Sequence, residues 1–169
     1  MAPLADGSTD EFLKTDGSGG LSWAAAGGGG SSGWFGSGTL LKVMPCEFMA
    51  NDDAPSRGGF QGLYMEDDTS GILGVRTNHT STDMYVMKAI PTGYKVTHVK
   101  VYSNSNTIGA VTINLFRQTT GQIILKGSGN LNSLLNITDI NSSAVSNVSI
   151  KIVPNSIGTL IYGADITIA

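Results

Sequence analysis

Apolar and polar residues alternate with a period of two over much of the chain beyond residue 38. Residues 111–115 read Val-Thr-Ile-Asn-Leu, and residues 148–152 read Val-Ser-Ile-Lys-Ile. Successive side chains of a β-strand point to opposite faces, so this period places the aliphatic residues on one face. One buried and one solvated face is typical of antiparallel sheets.

The same period continues to the end of the chain, over residues 160–168. It predicts that Leu160 and Tyr162 share a face with Ala164 and the isoleucines that follow. The final residues carry no polar tail, so we expect the end of this strand to be covered by a neighbouring molecule.

Nine strands follow from this pattern, from β-branched residues and from turn residues between the apolar segments. The predicted strands are residues 39–44, 71–77, 84–90, 94–103, 110–117, 121–126, 134–137, 147–153 and 159–168. No segment shows a sustained period of 3.6 residues. We therefore predict an all-β domain, an antiparallel two-sheet sandwich of the jelly-roll type, over residues 39–169.

Residues 1–38 have a different composition, rich in Gly, Ser, Ala and Asp. They contain 11 of the 23 glycines, and residues 24–33 read Ala-Ala-Ala-Gly-Gly-Gly-Gly-Ser-Ser-Gly. Such a sequence is typical of flexible linkers and offers few side chains for a core. We therefore treat 1–38 as a separate segment, an anchoring hairpin followed by a flexible linker.

The apolar residues of this segment surround a turn. Phe12 and Leu13 precede the sequence Thr-Asp-Gly-Ser-Gly-Gly at residues 15–20, and Leu21 and Trp23 follow it. This pattern predicts a small β-hairpin. Because an isolated two-stranded hairpin is marginally stable in water, we expect these four side chains to anchor the chain to another molecule.

Two further aromatic residues, Trp34 and Phe35, lie after the glycine run. They are separated from the hairpin by the linker and precede the predicted sandwich. We interpret them as linker or interface residues.

Charge and composition exclude several functions. The net charge is −3, so a basic nucleic-acid-binding face is not expected, and no apolar run is long enough for a transmembrane helix. The N-terminus lacks the basic and apolar regions of a secretory signal. The single cysteine, Cys46, excludes an internal disulfide, and two histidines leave little for a metal site or catalytic triad. We predict no enzyme activity, no cofactor and no metal.

Individual residues receive structural interpretations. We expect Cys46 to be buried, His98 to lie partly buried or at the surface of a strand, and residues 84–87 to contribute to the sheet core. The acidic clusters at residues 51–53 and 66–68 match no calcium-loop spacing and are read as solvated loops.

Charged side chains are scarce in the second half of the chain. Residues 101–169 contain five, so the polar strand faces consist mainly of Thr, Ser and Asn. Exposed strands normally use charge to prevent unwanted pairing. We therefore expect other subunits to cover some of these faces.

The N-terminal sequence FLKTDGSGGLSW, residues 12–23, resembles an LxTDGSGxLSW element of tailed-bacteriophage fibre proteins. Residues 39–169 resemble small virion proteins of marine and cyanobacterial phages. The matching sequences are LKVMPCEFMANDD (41–53), IPTGYKVTHV (90–99), KGSGN (126–130), NITD (136–139) and IYGADITIA (161–169).

This resemblance implies a non-enzymatic virion protein at the particle surface, synthesised in the host cytoplasm. The N-terminal element would attach it to the major capsid protein or another virion protein, and the β-domain would form a homotrimer. We predict a capsid decoration or head-fibre protein, since the chain is short. The alternative is a tail-fibre or adaptor protein that binds a host surface polysaccharide. A polysaccharide depolymerase is less favoured, because such enzymes are usually much longer β-helices.

Overall fold

A computed structural model describes residues 11–15, 17–25, 39–51, 62–67, 71–107 and 109–169 of the protein. The chain divides into two compact units, Met1–Gly38 and Thr39–Ala169. Each unit is described separately below.

The first unit contains the predicted hairpin. Strand β1 (Glu11–Thr15) pairs antiparallel with β2 (Leu21–Ala25). Between them, Gly17 and Gly19 have φ angles of 80° and 92°, in the left-handed region that favours glycine. The Gly17 amide donates a hydrogen bond to the Thr15 hydroxyl at 3.2 Å, which closes the turn.

The second unit contains eleven described strands and one 3₁₀ turn, Pro45–Glu47. The strands are β3 (Leu40–Val43), β4 (Met49–Ala50), β5 (Leu63–Asp67), β6 (Leu73–Thr77), β7 (Met84–Ala89), β8 (Lys95–Ser103), β9 (Val111–Arg117), β10 (Gln122–Gly129), β11 (Leu135–Asn141), β12 (Ser146–Ile152) and β13 (Ile161–Ile168).

These strands form two antiparallel sheets. The five-stranded sheet has the order β10-β9-β12-β7-β4. The six-stranded sheet has the order β11-β8-β13-β6-β5, with β3 pairing to β13 on the side opposite β8. Strands distant in sequence are neighbours in both sheets, as in a jelly-roll sandwich.

A single aliphatic core lies between the sheets. Val86, Ile113 and Ile150 contribute from the five-stranded sheet, and Val99 and Ile166 from the six-stranded sheet. All five side chains are buried. The fold is therefore the antiparallel two-sheet sandwich predicted from the alternating pattern.

All nine predicted strands of this unit are present, with shifts of a few residues at their ends. Two described strands were not predicted, β4 and β5. Strand β4 has two residues, too few for a period to be visible. Strand β5 has the sequence Leu-Tyr-Met-Glu-Asp, which contains no β-branched residue.

The prediction that Leu160 and Tyr162 share the core-facing side of the last strand was wrong. Ile161 is fully buried, whereas Leu160 and Tyr162 are half-buried. The cause is a register shift between Ile161 and Gly163, where Gly163 has a φ angle of 130°. This bulge places Ile161 and Ala164 on the same side although they are three residues apart.

The last strand also ends within its own sheet. The Lys95 and Ala169 backbones exchange two hydrogen bonds of 3.0 Å. The end of β13 is thus hydrogen-bonded within its own sheet, and its coverage by a neighbouring molecule stays a prediction.

Candidate functional site

The hairpin brings three of the four predicted anchoring residues onto one face. Leu13 lies directly opposite Trp23, and Leu21 is opposite Thr15, two residues further along β1. Residues directly opposite each other and residues two apart share a face of an antiparallel sheet. The exposed fractions are 44% for Leu13, 38% for Leu21 and 38% for Trp23.

The fourth residue, Phe12, is in register with Ala24 on the neighbouring strand. Trp34 and Phe35 lie outside the described residues, so the prediction that they are interface residues stays a prediction. The described apolar face of the hairpin thus consists of Leu13, Leu21 and Trp23, and its anchoring role stays a prediction.

A second surface lies on the outer side of the five-stranded sheet, opposite the core. Two rows of side chains cross four strands there in register. We call these eight residues the neutral face: Ile123, Phe116, Asn147 and Ala89 in one row, and Leu125, Asn114, Ser149 and Met87 in the other.

The exposed part of the neutral face is apolar. Leu125 is 63% exposed, Ile123 56% and Met87 40%. Of its polar residues, Asn114 is 7% exposed and Ser149 1%, whereas Asn147 is half-buried. The large side chains of β10 and β7 therefore project further into solvent than the buried polar side chains of β9 and β12 that lie between them.

Ser149 is buried together with its hydroxyl group. Its Oγ atom has no hydrogen-bond partner among the residues that the structure describes. Unpaired buried hydroxyl groups are uncommon in folded proteins, because they lose hydration without compensation. The Ser149 hydroxyl is therefore a polar group at the centre of the neutral face that the described residues leave unsatisfied.

An ion pair borders the neutral face. Lys151 Nζ lies 2.6 Å from Asp83 Oδ2, and the same ammonium lies 5.6 Å from the centre of the Tyr85 ring. The hydrogen bond to Asp83 raises the pKa of Lys151 above its ordinary value, although burial opposes this rise. Lys151 is thus held as a cation over the ring of Tyr85.

The outer side of the six-stranded sheet has a different character. Lys42 Nζ donates to Asp165 Oδ1 at 2.7 Å, and the Tyr102 hydroxyl donates to Asp165 Oδ2 at 2.8 Å. Lys100 Nζ lies 5.0 Å from the centre of the Tyr102 ring. We call Lys42, Lys100, Tyr102 and Asp165 the charged face.

The bonds to Asp165 change the titration of both donors. The hydrogen bond to the carboxylate raises the pKa of Tyr102 above 10.0, and burial adds to the rise. The hydrogen bond to Asp165 also raises the pKa of Lys42 above 10.5, against a smaller desolvation effect. The charged face therefore keeps its ion pair at neutral pH.

Both histidines have hydrogen-bond partners close to them in the sequence. His98 Nδ1 lies 3.0 Å from the Thr97 hydroxyl, and the Ser81 amide donates to His79 Nδ1 at 3.1 Å. His98 is half-buried on a strand, as predicted. Within the described ranges, no group of three or more His, Cys, Asp or Glu residues is arranged to hold a metal ion.

Three structural interpretations from the sequence require correction. Cys46 is exposed, because it lies in the 3₁₀ turn rather than in the preceding strand. Met84 is fully buried, but Met87 is on the outer side of β7 and is 40% exposed. Of the two acidic clusters, residues 52–53 and 68 lie outside the described residues. Glu66 and Asp67 lie in strand β5 and not in a loop, and Glu66 forms an ion pair with Arg76.

The sequence did not identify the neutral face. Its one signal is the consecutive run Ile123, Ile124 and Leu125, in which a strand with one buried face would have a polar residue at alternate positions.

In the described part of the chain, the structure has no helix that is both long and apolar enough to span a membrane.

Comparisons with known proteins gave similarities of fold. No protein-family model and no curated protein matches the chain. One similar structure comprises the CBM22-1–GH10 modules of the N-terminal endo-1,4-β-D-xylanase 10B of Clostridium thermocellum, complexed with xylohexaose. It has 15% identity and a TM-score of 0.40, and the match covers 77% of this chain and 27% of that chain.

A second similar structure is the CBM36-1 domain of a multidomain xylanase from the hindgut metagenome of Trinervitermes trinervoides. It has 14% identity and a TM-score of 0.40, with 75% of this chain and 95% of that chain covered. At this level of similarity, neither structure assigns a ligand or a role to the present chain.

Proposed function

We propose that this chain is a non-enzymatic structural protein of a bacteriophage virion, a capsid decoration or head-fibre protein. The N-terminal hairpin attaches it to the major capsid protein or another virion protein. The sandwich domain is displayed at the surface of the particle.

The observation that carries this proposal is the apolar face of the hairpin. Leu13, Leu21 and Trp23 are substantially exposed on a two-stranded sheet, which is too small to form a core of its own. Burying such side chains against a partner removes apolar surface from water and stabilises attachment. The resemblance of residues 12–23 to the phage element supplies the class of partner.

The glycine-rich segment before the sandwich also supports this role. A tether rich in glycine would let several copies on one particle act together, so that weak individual contacts produce avidity.

The experiment locates the protein on purified particles of the phage that encodes it. Antibody labelling seen by electron microscopy gives the position, and quantitative mass spectrometry gives the copy number. We expect label on the head with sixty or more copies. Label at the tail tip with about a dozen copies or fewer would instead establish the tail-fibre alternative, and particles without label would overturn both.

Attachment is tested with Leu13→Ser, which places a hydroxyl in the centre of the apolar hairpin face. Occupancy of heads lacking the wild-type protein should fall at least tenfold. The matched control is Leu134→Ser, since Leu134 is a leucine of the sandwich with 63% exposure. Equal occupancy of the two variants would show that the hairpin is not the attachment site.

A further inference from the structure

We propose that residues 44–51 form an acid-sensitive latch, closed by the ion pair between Glu47 and Lys88, which opens while the rest of the sandwich stays folded. The latch consists of Met44, the 3₁₀ turn Pro45–Glu47, Phe48, strand β4 and Asn51. This inference concerns the conformation of the sandwich unit and does not depend on the proposed place in a virion.

The latch crosses from one sheet of the sandwich to the other. Strand β3, which precedes it, pairs with β13 in the six-stranded sheet, and β4 pairs with β7 in the five-stranded sheet. The 3₁₀ turn lies against β6 and β13. Because Lys88 belongs to β7, its ion pair with Glu47 connects a turn that packs on the six-stranded sheet to a strand of the five-stranded sheet.

The position of Lys88 makes this ion pair important for the closed state. Lys88 lies two residues beyond Val86 on β7 and is in register with Val148, and both valines are buried in the core. The Lys88 side chain is 14% exposed. A mostly buried ammonium that loses its carboxylate partner is poorly solvated, so removal of the partner's charge is unfavourable. The charge on Glu47 therefore stabilises the closed latch.

The same carboxylate also closes the turn. Glu47 Oε2 accepts a hydrogen bond from the Met44 amide at 2.7 Å, while Oε1 accepts from Lys88. Hydrogen bonds to a charged acceptor are stronger than those to a neutral one. Protonation of Glu47 therefore weakens both the beginning of the turn and its contact with the five-stranded sheet.

The other charged groups around the turn have partners of their own. They are paired in this way: Arg76 with Glu66, Asp165 with Lys42, and Asp83 with Lys151. The Cys46 thiol, beside Glu47 in the sequence, is neutral in the acid range. Burial raises the pKa of Glu47, but the hydrogen bonds from Lys88 and the Met44 amide, with the charge of Lys88, bring it below 4.5. The latch is thus stabilised above this pH and released as the pH falls through the folded-state pKa.

The far end of the latch is held by a short contact. Strand β4 has two residues, in register with Tyr85 and Met84 at the edge of the five-stranded sheet. The Asn51 amide donates to the Asp83 carbonyl at 3.0 Å, and Asn51 Oδ1 accepts from the Asp83 amide at 2.8 Å. Segments with few buried apolar contacts open at a lower free energy than the whole domain. Opening would expose Phe48, a core residue, and leave the edge of β7 without its partner strand.

The test is native-state hydrogen exchange of the full chain, followed by NMR at about pH 5.5 and about pH 3.5 in low concentrations of urea. The reporter amides are those of Glu47, Phe48 and Asn51, each of which donates to a backbone carbonyl. Their protection, corrected for the intrinsic effect of pH, should fall at least about fivefold at the lower pH and should not change with urea. The amides of β12, the central strand of the five-stranded sheet, should be better protected and should lose protection as urea increases.

Glu47→Gln keeps an oxygen for the Met44 amide but removes the charge. Its latch amides should be at least about fivefold less protected than those of the wild type at about pH 5.5, with little further change at the lower pH. Lys88→Met is a second variant and should lose most of the pH response, because no ammonium is then left without its partner. The matched control is Asp139→Asn, which alters an ion pair whose side chains are both 44% exposed and should leave latch protection unchanged.

Circular dichroism shows that each variant is folded before exchange is measured. Latch amides that exchange only together with those of β12 would overturn the proposal, because the segment would then open only when the whole domain unfolds. Equal protection of the latch in Glu47→Gln and the wild type would also overturn it, because the ion pair would then not hold the latch closed.

Discussion

Tyr102 on β8 and Asp165 on β13 are joined by a hydrogen bond of 2.8 Å, and the same carboxylate accepts a second bond from Lys42 on β3. The Asp165 side chain is 15% exposed, so this network links three neighbouring strands in a partly dehydrated place. It is the principal polar crosslink that the described residues show on the charged face.

Asp165→Ala should therefore lower the free energy of unfolding by about 1–2 kcal/mol, because a charged acceptor with two donors is lost. The control is Asp139→Ala. Asp139 pairs with Lys95 at 2.6 Å, but both side chains are 44% exposed, so its loss should cost at most about 0.5 kcal/mol. Urea unfolding measures both, and equal losses would contradict the assigned role of Asp165.

Acid stability should depend on Glu47 in the 3₁₀ turn. Burial alone would raise its pKa, but hydrogen bonds from the Lys88 ammonium and the Met44 amide together lower it below 4.5. As the pH falls, the unfolded state therefore takes up the Glu47 proton at a higher pH than the folded state does. The contribution of Glu47 to the free energy of unfolding is thus present above pH 4.5. It is lost as the pH falls through the folded-state pKa.

The stability difference between the wild type and Glu47→Gln should accordingly shrink between about pH 5 and pH 3 in chemical denaturation. Lys88→Met should reduce the acid-side loss that depends on Glu47, since the ammonium that lowers its pKa is removed. A difference that stays constant over this range would show that Glu47 ionisation is not linked to folding.

Gly163 should be intolerant of substitution. Its φ angle is 130°, and an added Cβ atom would lie 2.4 Å from the Val43 carbonyl oxygen. Backbone cannot move aside as a flexible side chain can, so Gly163→Ala should cost about 3 kcal/mol or more.

Gly158→Ala is the matched control for this substitution. Its added Cβ would lie 3.6 Å from the Ser156 hydroxyl, an ordinary contact. We expect a change within about 0.5 kcal/mol. Thermal unfolding of the two variants compares them directly, and a Gly163→Ala protein as stable as Gly158→Ala would refute the strained bulge.

The same glycine shows why the sequence predicted the strands better than their faces. Alternation identified β9 and β12 correctly, since Val111, Ile113, Ile150 and Ile152 are all fully buried. In β13 the alternation is interrupted at Gly163, and a bulge depends on the partner strands, which the local sequence does not specify. Local alternation therefore predicts where the strands lie, but it does not predict which residues face the core beyond a bulge.

The hairpin surface and the neutral face also differ in how far the sequence predicts them. The hairpin follows from local residues, because the turn sequence and flanking apolar residues are contiguous. The neutral face is assembled from β7, β9, β10 and β12, whose order in the sheet differs from their order in the chain. Its rows exist only through non-local register, so no single segment indicates that Leu125 and Met87 lie on one surface.

Trp23→Ala should separate attachment from folding. Trp23 belongs to the hairpin unit and lies opposite Leu13, so its loss removes part of the apolar face that we assign to attachment. Removing its exposed apolar area should reduce occupancy on particles at least tenfold, since about 1.4 kcal/mol corresponds to a factor of ten. The described core residues all belong to the unit Thr39–Ala169. The melting temperature of the sandwich, followed by circular dichroism, should therefore change by less than about 2 °C.

The matched variant is Tyr94→Ala, which removes a 36% exposed aromatic from the sandwich and should leave occupancy unchanged. A large loss of melting temperature in Trp23→Ala with full occupancy would mean that the hairpin supports the fold instead of the attachment.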